Sequence, residues 1–90
     1  MKTKEEFIQA VKDDEYGEFE LSTGDILITD WEGNGLFNPY VIPTSSDKDD
    51  DAASADISSS IKDELDINVH GIEWDEGNEV YHVIPENRYL

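Results

Sequence analysis

Asp47, Asp49, Asp50 and Asp51 form the densest group of chemically capable side chains in the sequence. Three of them, Asp47, Asp49 and Asp51, fall at the first, third and fifth positions of an EF-hand Ca2+ loop. The pattern then breaks. Ala52 stands where the loop's sharp turn needs glycine, and Ser58 stands where a bidentate glutamate would close the coordination shell. The preceding Pro43-Thr44-Ser45-Ser46 does not read as the helix that such a loop follows. Loose attraction of cations is the expectation there, and no specific metal site. A second candidate pairs His70 and His82 with Glu73, Asp75 or Glu79 across a hairpin, but neither histidine lies in a recognised ligand spacing. Carboxylate pairs of the type used in acid–base or glycosidase chemistry arise by chance in a chain with 23 Asp and Glu, so they point to nothing. A phosphate-cradling glycine loop, a nucleophile elbow and cysteine are all missing from the sequence. The expectation is a protein that is not an enzyme and takes no cofactor or metal.

Charge is then the chemical content that remains. Six Lys and Arg against 23 Asp and Glu give a formal charge of −17. Solubility of a small domain needs a net charge of only about 2–8, and the excess opposes compaction by self-repulsion. Nine aromatic residues and nine isoleucines supply enough apolar surface for one modest core, so the 90 residues read as a single folded acidic domain. Acidity argues against direct binding of nucleic acid or of an anionic membrane, and favours a basic partner. No apolar run approaches the roughly 20 residues of a membrane span. The N-terminal MKTKEEFIQAVKDD lacks the apolar centre of a signal peptide, and a cytoplasmic monomer is expected.

The elements that must position these charges follow from periodicity. Residues 3–15 predict a helix: Thr3 and Glu6 match a capping box, Phe7, Ile8 and Val11 make an apolar stripe, and Tyr16-Gly17 ends it. Asp13, Asp14 and Glu15 crowd its last turn, where the helix dipole disfavours each by about 0.3–1 kcal/mol. Three strands follow, over 18–22, 25–31 and 36–42, with turns at Thr23-Gly24 and Glu32-Gly33-Asn34-Gly35. Asn38-Pro39 and Pro43 mark the third as an edge or bulged strand. Residues 44–56 read as a flexible acidic loop. Ile57, Ile61 and Leu65 recur at helical spacing, with Ser54 or Asp56 as candidate caps. A closing hairpin spans 67–74 and 80–84, with Gly71 a candidate bulge. The order α-β-β-β-α-β-β predicts an α+β fold, with about five antiparallel strands and two helices on one sheet face.

Such a scaffold holds carboxylates in rows, because alternate residues of a strand repeat about every 6.6–6.8 Å on one face. The expected partner-binding residues are Asp13, Asp14, Glu15, Glu18, Glu20, Asp25, Asp30, Glu32, Glu73, Asp75 and Glu76, with Trp31 and Tyr40 as aromatic anchors. The chain resembles, in size, acidity and α+β pattern, the small acidic inhibitors encoded by phages and mobile elements, including DNA mimics and anti-CRISPR proteins. That resemblance implies a stoichiometric blocker of a basic nucleic-acid-binding protein, such as a CRISPR effector at its target-DNA surface, acting in the host cytoplasm if phage-encoded. The same electrostatics fits an immunity protein or antitoxin that neutralises a basic toxin nuclease. A third reading is a Ca2+-binding or structural acidic domain.

Overall fold

The computed structural model describes residues 2–29, 37–44 and 51–88. Thr3 and Glu6 close the capping box that their spacing predicts: the Thr3 N–H donates to Glu6 Oε1 at 3.0 Å, and the Glu6 N–H donates to Thr3 Oγ1 at 3.2 Å. They open helix α1, Lys4–Lys12. Strands β1 (Gly17–Glu20), β2 (Ile26–Thr29) and β3 (Tyr40–Ile42) come next, then helix α2 (Asp51–Leu65) and strands β4 (Val69–Asp75) and β5 (Val80–Pro85). The chain has an α+β fold in which the two helices accompany one five-stranded antiparallel sheet of order β1-β2-β3-β5-β4.

Four local expectations are corrected. Helix α1 stops at Lys12, and Tyr16-Gly17 does not end it. The Glu15 N–H donates to the Ala10 carbonyl and the Asp14 N–H to that of Val11, a Schellman closure with Asp14 in the left-handed region at φ 55°. Gly17 serves packing instead, since a Cβ there would lie 3.2 Å from that of Ala10. Residues 51–56 are helical and not part of the acidic loop, because Ala52, Ala53 and Ala55 carry the highest intrinsic helix propensity. Ser54 and Asp56 therefore lie inside α2 and cap nothing. Strand β3 is central, not an edge: Pro39 stands just before it, where its missing N–H leaves the ladder intact, and its carbonyl accepts the Val83 N–H at 3.0 Å. The irregularity expected at Gly71 is present as a register shift between Val69 and Gly71.

Phe7 and Val11 of α1, Ile57, Ile61 and Leu65 of α2, and the inward residues Leu27, Val41, Tyr81 and Val83 of the sheet share one core. Phe7 lies edge-on to Phe37, with ring centroids 6.2 Å apart. A polar clasp ties α2 to the β1–β2 turn. The Ser22 N–H is within 3.1 Å of both Glu64 carboxylate oxygens, and the Ser60 hydroxyl donates to Glu64 Oε2. Since Ser60 spends its proton on Glu64, Ser22 is the donor in the 3.1 Å contact between the two serine hydroxyls. Among the described residues no helix is long and apolar enough to cross a membrane.

Candidate partner-binding surface

Among the described residues the sheet has one face under the two helices and one without them, and the register fixes what the second face carries. Phe19, Leu27, Val41 and Tyr81 pair inward, so the residues beside them point outward. One outward row runs Glu18, Ile28, Tyr40, His82, Glu73. The next begins Glu20, Ile26, Ile42 and, as the register continues, ends Val80, Asp75. Each row is closed by a carboxylate at both ends. Four strand spacings of about 4.8 Å set the two edges about 19 Å apart. None of these outward positions is Lys or Arg; the described basic residues, Lys2, Lys4, Lys12, Lys62 and Arg88, lie on helices or terminal segments.

The expected site residues divide by what their side chains do. Glu18 accepts the Tyr16 hydroxyl at 2.6 Å, and Asp13 accepts the Gln9 side-chain amide at 3.0 Å. Asp25 is a loop staple: it accepts the Thr23 hydroxyl at 2.7 Å and, from across the sheet end, the Thr44 N–H at 3.0 Å and the Thr44 hydroxyl at 3.2 Å. Asp75 organises the last hairpin. His82 Nε2 lies 2.9 Å from Asp75 Oδ2, a contact in which the ring N–H donates, and Asn78 bonds the same carboxylate through its N–H and its side-chain amide. Those donors, His82 first and Asn78 second, hold the Asp75 carboxyl well below the usual carboxylate range. Among the described residues, the carboxylates of Glu15, Glu20, Glu73 and Glu76 meet no hydrogen-bonding or ionic partner, so they stand available to a ligand.

Geometry also separates what the sequence grouped. Asp13, Asp14 and Glu15 sit at the junction of α1 and β1, while Glu18 and Glu20 lie on the helix-free face and Glu76 in the β4–β5 turn. Tyr40 is half-buried in the first outward row, flanked by Ile28 and His82. Asp30, Trp31 and Glu32 lie outside the described residues, as do Asp47 and Asp49. Asp51 opens α2, so the fifth and later positions of the would-be Ca2+ loop follow a helical path, incompatible with the loop's geometry. His70 stands three residues, about 10 Å, along β4 from Glu73, the residue opposite His82, so the two histidines do not converge.

Sequence reasoning missed the apolar middle of this face. The signal was present: β1 alternates as Gly-Glu-Phe-Glu, but Ile26-Leu27-Ile28, Tyr40-Val41-Ile42 and Val83-Ile84 place apolar side chains on both faces. Ile28 is 2 % exposed yet lies outside the helix-side core cluster, and Ile42 is 43 % exposed. A groove of about 260 Å3 lined by Tyr40, Asn78, Val80 and His82 opens beside them. No family model, no curated protein and no solved structure matches the chain.

Proposed function

We propose that the protein is a stoichiometric inhibitor that occupies the basic DNA-binding surface of a nucleic-acid-binding protein, its carboxylates taking the place of phosphates. The observation that carries this reading is a helix-free sheet face edged by Glu18 and Glu20 on one side and Glu73 and Asp75 on the other, without Lys or Arg, on a chain of net charge −17. Glu18 and Glu20 repeat at about 6.8 Å, which is twice the roughly 3.4 Å axial rise between phosphates of one DNA strand. A Lys- or Arg-lined groove that tracks one phosphate row meets the same periodicity along β1. The surrounding negative potential steers such a partner and supplies counterion release on contact. An RNA-guided effector that holds its heteroduplex in a basic channel is one protein with a surface of this kind.

The test is competition. The immobilised protein is exposed to a host lysate at about 50 mM salt, where surface charges are weakly screened, and bound proteins are eluted with duplex DNA. The expected result is a basic nucleic-acid-binding protein whose DNA binding is blocked at one inhibitor per site, with inhibition falling steeply as salt rises. Recovery of no protein that duplex DNA displaces would overturn the reading.

A further inference from the structure

The two carboxylate edges are about 19 Å apart across the sheet, wider than the major groove of about 12 Å or the minor groove of about 6 Å. Phosphate mimicry accounts for each edge by itself and leaves the strip between them unexplained. That strip is apolar: Ile26, Tyr40, Ile42 and Val80 occupy outward positions that a solvated antiparallel face would give to polar residues. An apolar centre inside a charged rim is the anatomy of a protein–protein contact.

Resting on the reading above, we infer that this face docks a basic protein segment that places an apolar or aromatic side chain over Ile42 and Tyr40, with Lys or Arg on both sides reaching the two carboxylate edges. Charge decides the occupant. A second copy of this chain would set carboxylate edges against each other at −17 per molecule, and an anionic membrane would be repelled in the same way. A partner with basic flanks neutralises all four corner carboxylates, and its central side chain removes Ile42, 43 % exposed, from water. The edges set register and encounter rate, and the strip supplies the part of the affinity that salt does not screen.

The experiment uses the full chain and two octapeptides of equal charge, RKGWLGKR and RKGSSGKR, which span about 23 Å when extended and so reach both edges. Calorimetric titration at about 50 and about 500 mM salt is combined with amide chemical-shift mapping. The expected result is about tenfold tighter binding of the Trp-Leu peptide, with shifts centred on Tyr40, Ile42 and Val80. Ile42→Glu adds a negative charge yet should abolish the preference; Val80→Thr, a milder change with its fold checked by circular dichroism, should reduce it. Equal affinity for both peptides, tighter binding by Ile42→Glu, or shifts confined to the helix side would overturn the inference and leave the basic-partner reading standing. Failure of both peptides to bind at the lower salt would sink both. A dimer of the free chain in sedimentation that Ile42→Glu dissociates would identify a second copy as the occupant and overturn the inference.

Discussion

Asp14→Gly should make the protein more stable. Asp14 is the C′ residue of a Schellman closure, where glycine is usual, and it holds φ 55° with the Glu15 N–H bonded to the Ala10 carbonyl behind it. A left-handed residue with a side chain is strained by up to about 1–2 kcal/mol, less for Asp than for most; glycine removes that strain but has more unfolded-state entropy to lose, leaving a net gain of about 0.5 kcal/mol. That gain corresponds to a Tm rise of roughly 2–4 °C for a domain of this size. Asp14→Asn keeps a side chain in the left-handed region and so leaves the backbone strain in place, and it should not reproduce the gain. Urea denaturation with an unchanged m-value and a thermal melt would both report the effect. Loss of stability in Asp14→Gly would refute the account, and equal gains in the two variants would assign the effect to charge alone.

Tyr81→Phe should stabilise by about 1 kcal/mol in the same assays, because Tyr81 is 1 % exposed and its buried hydroxyl meets no hydrogen-bond partner among the described residues; a loss instead would mean that the hydroxyl is satisfied in solution. Glu64→Gln should destabilise by about 1 kcal/mol, discounted for the exposure of the clasp it makes with Ser22 and Ser60. Burial raises the Glu64 carboxyl, but the Ser22 N–H and the Ser60 hydroxyl together outweigh it and leave it below its ordinary 4.5. Its contribution is therefore complete above about 4.5 and lost as pH falls through the lower folded value, so wild type and Glu64→Gln should converge in acid. Gly17→Ala should cost about 1–2 kcal/mol, since the new methyl meets the Ala10 Cβ at 3.2 Å, and a neutral result would show that α1 can shift away from β1. Glu20→Gln with Glu73→Gln should weaken partner binding several-fold without lowering Tm, whereas Asp25→Ala should lower stability by about 1 kcal/mol through its bonds to Thr23 and Thr44; the reverse pattern would mean that folding and binding acids have been assigned the wrong way round.

The parts of the fold legible in the sequence were those in which one local signal acts alone. Thr3 and Glu6 are three residues apart and need only each other. Ile57, Ile61 and Leu65 show a single buried stripe, and all three are buried. The start of α2 was obscured because an aspartate run reads as loop while the alanines behind it favour helix, and the helix extends back to Asp51. Strand β3 was misplaced because proline argues against a central strand only when it falls inside the ladder, and Pro39 falls just before it. The site was less legible for a physical reason. Sequence spacing shows that Glu18 and Glu20 share a face, but which strand lies beside which is a matter of topology. Only the order β1-β2-β3-β5-β4 sets Glu18 and Glu73 at opposite ends of one row.

That topology changes what the net charge means. A value of −17 counts every carboxylate alike, but the acids play at least two roles. Glu6, Asp25, Glu64 and Asp75 accept bonds that cap a helix, staple two loops and close a hairpin; three of these, Glu6, Glu64 and Asp75, are held below their ordinary range by those donors. Such residues would be kept in a protein with no partner at all. Asp14 and Asp66 each take a left-handed position just past a helix, and Asp66 there accepts the Lys62 ammonium at 2.8 Å, which holds its carboxyl below the ordinary range. Glu20 and Glu73 accept no bond from the described residues and stand at the two edges of the helix-free face. Carboxylates that accept no bond from the described residues, set at the rim of an apolar strip, are the ones that the proposed binding would use. For the proposed binding, the arrangement of Glu20 and Glu73 around Ile42 and Tyr40 carries more information than the sum of the charge.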